Sequence, residues 1–327
     1  MPSLTPSPTP GPTPGPTEAP VYDVVIVGGG PAGLAAATTL GRTHRSTLLL
    51  DAGSGRNRAS RHSHGFLTRD GLPPAELRAL GLGQLSAYRH VEHRALAVAG
   101  VKPEDDHFAV SLADGSTARG RRLLLATGMT DVLPELPGLA EAWGVSAFNC
   151  PYCDAHEVAD ERVVVLGGDG GALRLALQLS RFVGDITVCS GGEEITDEGT
   201  LRLLLRRGVK LRTEPYEGLD VDGEGRLRAV AFADGGRLDC RAAFLRPPTR
   251  QGSTLPEELG CSLFEDGSVE VNDFQQTTVR GVFAAGDLAR RASLPFPASQ
   301  IVHAASAGSL AAVVMDQELL GEEAMRG

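Results

Sequence analysis

Cys150-Pro151-Tyr152-Cys153-Asp154 sets two thiols three residues apart with a carboxylate directly after the second. At that spacing the sulfurs can close a small disulfide ring, and the arrangement can lower the pKa of one thiol toward the reactive thiolate. Cys150 and Cys153 are therefore candidates for a redox-active pair, with Asp154 placed to carry the proton that thiol chemistry must move. Half a structural zinc site would look the same, but such sites take four Cys or His ligands and often a second close pair. Cys189, Cys240 and Cys261 stand singly, and only His156 is near in sequence. Ligand counting favours disulfide exchange, and no metal is expected.

A redox disulfide needs a donor or acceptor of electrons, and two glycine-rich turns point to nucleotide cofactors. Val21 to Val27 reads as a buried strand, Gly28-Gly29-Gly30-Pro31-Ala32-Gly33 as a tight turn, and Leu34 to Leu40 as the apolar start of a helix. Thr47 to Leu50 is the next strand, ending at Asp51, and the βαβ unit of about 30 residues is the context a dinucleotide fingerprint requires. Gly28 permits the sharp turn, Gly30 lets backbone approach a pyrophosphate, and Gly33 allows the helix to pack on the strand. The helix N-terminus favours the anion, and Asp51 is placed to accept hydrogen bonds from the ADP ribose.

The second turn departs from this pattern. It follows a strand at Arg162 to Leu166, reads Gly167-Gly168-Asp169-Gly170-Gly171-Ala172, and opens a helix from roughly Ala172 to Phe182, with the next strand at Ile186 to Cys189. Asp169 puts a negative side chain where a pyrophosphate would approach. After Val188 come Cys189-Ser190-Gly191-Gly192-Glu193-Glu194, with no Arg or Lys for a 2'-phosphate. Missing charge-assisted bonds and added repulsion weaken such binding by several kcal/mol, on the order of typical per-contact values. NADPH is expected to be a poor donor.

The 327 residues suffice for two domains, and a net charge of -10 argues against nucleic acid, which binds clustered Lys and Arg. One close cysteine pair with three singles suits a reducing cytoplasm, and neither a membrane span nor a signal peptide is expected. Residues 1–20, rich in Pro-Thr-Pro-Gly, read as a disordered tail. Phe108 to Leu112 and Thr117 to Leu125 flank Asp114-Gly115 as a hairpin, and Asp220 to Leu245 reads as an antiparallel meander. Pro134 and Pro137 mark a crossing into a second domain, and Pro247 and Pro248 mark the return. The expected fold is α/β, with two Rossmann-like three-layer domains, residues 131–247 inserted between 21–130 and 248–327.

In this order the first fingerprint, Ala126-Thr127-Gly128, CxxC-Asp, the second Rossmann-like turn and Ala285-Gly286-Asp287 resemble the low-molecular-weight thioredoxin reductases, from Val21 to the C-terminus. The resemblance implies that the first domain holds FAD while the inserted domain holds NADPH and the disulfide, the two rotating to alternate cofactor access. It implies that Thr127, Gly128 and Gly286 line the FAD site, that Asp287 contacts the ribityl or pyrophosphate part, and that backbone at Gln300 and Ile301 faces the flavin N1 and O2 edge. The CPYC motif and the run Arg56-Asn57-Arg58 through His64-Gly65-Phe66-Leu67-Thr68-Arg69-Asp70-Gly71 are similar to the dithiol oxidases that close disulfides in gliotoxin-type and holomycin-type natural products, which puts Asn57 in the cofactor site. That branch commonly continues His-Gly after the second cysteine, whereas Asp154 matches the acid of thioredoxin reductases, so the site is a hybrid.

The reaction expected from this resemblance is FAD-dependent oxidation of a small-molecule dithiol, with O2 as final acceptor and H2O2 as product, in a homodimer. Two alternatives stay open: a thioredoxin reductase acting on a thioredoxin-like protein with NADPH or a donor such as ferredoxin, and a non-catalytic flavin redox sensor. His64, His303 and His156 are further candidates for substrate thiol deprotonation, since histidine titrates near neutral pH.

Overall fold

Unbroken apolar runs suit strands buried on both faces, the habit of parallel sheets. The last four residues of β1 (Val21–Val27) make such a run, with Val24, Val25 and Ile26 fully buried. The structure is a computed structural model that describes residues 21–326, so the reading of residues 1–20 as a tail lies outside the described residues. After the glycine turn, α1 (Pro31–Arg42) starts on a proline, whose missing N–H has no partner to lose at a first helical position. It leads to β2 (Thr47–Leu50), parallel to β1, and α2 (Pro74–Leu85) and β3 (Val91–Arg94) extend that side. β4 (Val98–Pro103), β5 (Phe108–Leu112) and β6 (Thr117–Leu125) form an antiparallel meander, and the long β6 then pairs in parallel with β1.

The order β3-β2-β1-β6 changes its direction of growth beside β1. In open α/β sheets the crevice beyond the carboxyl ends at such a point takes the ligand. Gly28 N donates to Leu50 O (2.7 Å) and Ala126 N to Val27 O (2.8 Å), so both the glycine turn and the Ala126-Thr127-Gly128 segment open onto it.

β7 (Met129–Asp131) leads away to a second unit: α3 (Leu139–Ala142), β8 (Ala147–Phe148), α4 (Pro151–Asp154), β9 (Arg162–Leu166), α5 (Gly170–Leu179), β10 (Asp185–Cys189), α6 (Glu198–Arg206) and β11 (Lys210–Arg212). β12 (Tyr216–Val221), β13 (Leu227–Phe232) and β14 (Arg237–Asp239) make an antiparallel meander. The meander thus ends at Asp239, short of Leu245. The next strand, β15 (Ala242–Phe244), is fully buried and without alternation, and it enters a parallel sheet of order β11-β10-β9-β15-β8. α5 spans Gly170–Leu179 in place of the expected Ala172 to Phe182, because Asp169 caps it.

β16 (Thr249–Gln251) returns antiparallel to β7, so the outward and return crossings lie side by side. α7 (Leu255–Glu258) and β17 (Val269–Val271) precede β18 (Val282–Ala284), which joins the first sheet beside β6, and β19 (Ala289–Arg291) pairs with β17. α8 (Ile301–Arg326) packs along α1. A Cβ at Gly308 would lie 2.0 Å from the Ala32 carbonyl oxygen, so only glycine allows this approach. That contact fixes the start of α8 relative to the glycine turn. The architecture is α/β, two Rossmann-like units with the second inserted in the first. Among the described residues no helix is long and apolar enough to cross a membrane, and no three His, Cys, Asp or Glu side chains cluster as metal ligands would.

Candidate active site

One cavity of about 1680 Å³ runs from the first glycine turn to the dithiol. Its wall includes Gly28, Gly30, Pro31, Ala32, Asp51, Asn57, Thr127, Gly128, Gly286, Asp287, Gln300 and Ile301, and also Cys150, Cys153 and Asp154. Gly33 does not line it. That residue lies behind the turn, where a Cβ would come 1.9 Å from Gly28 O. Ligand pockets for a drug-sized molecule span about 300–1,000 Å³, so this space admits a dinucleotide and a second molecule.

The turn is built for an anion. Gly28 has φ +112°, and a Cβ there would sit 2.3 Å from Ala126 O, so both backbone and packing demand glycine. Gly30 occupies the N-cap of α1 without a side-chain cap, leaving first-turn amides free, and open space lies where a Gly30 side chain would point. Thr127 Oγ1 is buried without a partner. Uncapped amides, an open approach and an orphaned hydroxyl fit the diphosphate and ribityl parts of FAD.

The acids of this cradle are already engaged. Asp51 accepts from Arg78 Nε (3.0 Å) and Nη2 and from Gly53 N (3.0 Å). Burial alone would raise its pKa, but Arg78 and the amide bond from Gly53 outweigh that and hold it below the usual carboxylate value. Asp287 accepts from Arg56 Nη1 (2.8 Å), while Arg56 Nε and Nη2 grip Asp131 at 3.0 and 2.6 Å. Asn149 Nδ2 also reaches Asp131 Oδ1 (3.4 Å). One guanidinium thus ties the Asp287 turn to β7 and, through Asn149, to the approach of the dithiol. Arg78 and Asp131 carry no motif in the sequence, and only their partners mark them.

Cys150 and Cys153 are bonded, with Cα atoms 5.3 Å apart, in the turn that follows edge strand β8 and forms α4. Cys150 is the N-cap of α4 and its carbonyl accepts from Cys153 N and Asp154 N, both at 3.2 Å. Pro151 at the first helical position has no amide to offer and helps set this turn. Cys189, Cys240 and Cys261 are buried and unbonded, and burial pushes the Cys189 and Cys240 thiols up to about 12. Among the described cysteines, thiolate chemistry therefore falls to the half-buried Cys150–Cys153 pair.

Burial also raises Asp154, to about 7, with Glu157 adding to the rise and His64 opposing it. His64 lines the cavity, with Nδ1 3.5 Å from Asp70 Oδ2 and Nε2 3.6 Å from Glu157 Oε1. His303 also lines the cavity, whereas His156 is exposed and outside its wall.

The second glycine turn repeats the backbone of the first. Gly167 has φ +117° and its N–H donates to Cys189 O (2.9 Å), as Gly28 does to Leu50 O. Its donors are filled from within the chain. Asp169 Oδ1 accepts from Ala172 N (2.7 Å), and Glu193 Oε2 accepts from Gly168 N (2.8 Å).

The family model for pyridine nucleotide-disulphide oxidoreductases matches residues 22–309. The chain belongs to this family. Thioredoxin reductase tcpT of Claviceps purpurea is 34% identical over 279 residues, covering 82% of this chain and 86% of the relative. Thioredoxin reductase sirT of Leptosphaeria maculans is 31% identical over 319 residues, covering 93% and 96%. The crystal structure of HlmI matches with a TM-score of 0.86 at 34% identity, over 93% of this chain and 94% of that one. As a member of this family the chain is a flavin-dependent disulfide oxidoreductase, with FAD as the implied cofactor and a dithiol or disulfide as the implied substrate.

Proposed function

We propose that this chain is an FAD-dependent dithiol oxidase. In this reading, residues 21–130 and 248–327 form the FAD-binding domain, and residues 131–247 form an NAD(P)-binding-like domain that carries the disulfide. The observation that carries the reading is the contrast between the two glycine turns. The first opens onto the cavity of Cys150 and Cys153, while the second has Asp169 and Glu193 on the amides that a pyrophosphate would need. Electrons then enter from a substrate dithiol in place of NADPH.

A substrate thiolate attacks Cys150 Sγ, the Cys150–Cys153 bond breaks, and Cys153 leaves as a thiolate. The second substrate sulfur, once deprotonated, attacks the substrate sulfur held on Cys150. The substrate's own disulfide closes and Cys150 is released, leaving two electrons on the protein's cysteine pair. Asp154, as carboxylate, takes a proton from a substrate thiol and, as acid, can return it to a departing sulfur. FAD bound in the cradle supplies a two-electron acceptor for the reduced pair, with O2 taking the electrons onward to H2O2. Oxygen uptake with a small dithiol should yield peroxide one for one, and no uptake with any dithiol would overturn the reading.

The pH dependence follows from Asp154. Below about pH 7 it is protonated and cannot accept a proton, so kcat/KM for oxygen uptake should rise through a limb near 7, beneath the limb set by the dithiol's own ionisation. Asp154→Asn should remove the lower limb and slow turnover by about 10²-fold. An unchanged profile in that variant would take Asp154 out of the proton path. A thioredoxin reductase remains the second reading, favoured by the acid at Asp154, and the identity of the electron donor separates the two.

A further inference from the structure

Three of the five arginines that line the cavity have no carboxylate partner among the described residues. Arg56, Arg69, Arg78, Arg174 and Arg246 line it. Arg56 is taken by Asp131 and Asp287, and Arg78 by Asp51. The one other carboxyl on the wall is Asp154, which burial holds toward its neutral form. Arg69, Arg174 and Arg246 are exposed and, among the described residues, have no carboxylate at ion-pair distance. Arg69 donates only to its neighbour's carbonyl, Thr68 O (3.0 Å), and Arg174 is within electrostatic reach of Asp197 without pairing to it.

These three arginines come from three elements that each touch the dithiol segment. Arg246 follows Leu245, whose N–H bonds Phe148 O (3.0 Å), two residues before Cys150. Arg174 lies on α5, which packs against α4. Arg69 belongs to the loop that holds His64 Nε2 3.6 Å from Glu157, three residues past Asp154. Unpaired arginines on open surface are ordinary solvated side chains. Three on the wall of one cavity, in a chain of net charge -10, outnumber Asp70 and Glu157, the carboxylates that flank His64 there, and favour an anion. Tyr152 and Phe296, both exposed and on the same wall, add apolar surface.

We infer that the dithiol substrate carries a carboxylate, which Arg69, Arg174 and Arg246 bind while its sulfurs face Cys150 and Cys153. Arginine suits a carboxylate because its planar fork can donate two parallel hydrogen bonds. This inference rests on the dithiol-oxidising reading and deepens it.

Dihydrolipoate and dihydrolipoamide form a matched pair, equal in dithiol and chain length but differing as carboxylate and neutral amide. The holoenzyme should favour dihydrolipoate in kcat/KM by about tenfold at low salt. The ratio should fall toward unity at high ionic strength and in Arg174→Gln and Arg246→Gln. Equal kcat/KM for the two dithiols would overturn the carboxylate inference and leave dithiol oxidation standing. If neither dithiol is oxidised, the dithiol-oxidising reading fails. Calorimetric binding of oxidised lipoate and lipoamide then decides the inference alone: tighter binding of lipoate supports it, while equal affinity, or none for either, overturns it.

Discussion

Cys153→Ser protein is expected to keep its yellow flavin and lose dithiol-driven oxygen uptake by at least about 10³-fold, or about 4 kcal/mol of transition-state stabilisation. The substitution changes one atom of a half-buried side chain in the short helix α4. The FAD cradle draws on the turns after β1, β6 and β18 and on the start of α8, so its amides and Thr127 are untouched. Serine cannot form the disulfide, so a thiolate attacking Cys150 would find no bond to break. The lost cross-link closes a loop of three residues, too short for a large loop-entropy effect on stability. Near-normal turnover with intact flavin absorbance would show that electrons do not pass through this disulfide. Loss of flavin together with turnover would instead place Cys153 in the cofactor site.

Much of the scaffold is legible in the amino-acid order. β1, β2, β5, β6 and β9 each carry an apolar run of three or more residues closed by glycine, acidic or turn residues, and those signals need no partner to be read. Two kinds of feature escape. β7 and β16 are three residues each, and they pair across more than a hundred intervening residues, so no local pattern announces them. The clamps Arg56–Asp131–Asp287 and Arg78–Asp51 are likewise assembled by the fold from separate elements. Ala242–Phe244 shows a third difficulty, since a short buried run gives no sign of which sheet will claim it.

Glu193 illustrates how a residue can be noticed for one reason and matter for another. Its position after β10 suggests repulsion of a 2'-phosphate, yet its carboxylate reaches back to Gly168 N. Asp169 behaves alike, a misfit as the second glycine of a fingerprint but an effective cap for α5. The internal repeat is visible in sequence. That one copy is stoppered by its own side chains needs atomic positions.

Those two carboxylates carry the second large expectation. A pyrophosphate at the second turn would have to displace Asp169 from Ala172 N and Glu193 from Gly168 N, losing two charge-assisted bonds and bringing like charges together. At roughly 2 kcal/mol for each such bond the loss is about 4 kcal/mol, or on the order of 10³-fold in affinity. The dithiol route meets no such barrier, because Cys150 and Cys153 share the cavity of the first turn. Anaerobic mixing of the holoenzyme with a small dithiol, and separately with NADPH, compares the two routes by flavin absorbance. Dithiol should bleach the flavin while millimolar NADPH leaves it yellow. Rapid bleaching by NADPH, with none by any small dithiol, would contradict the proposed direction of electron flow.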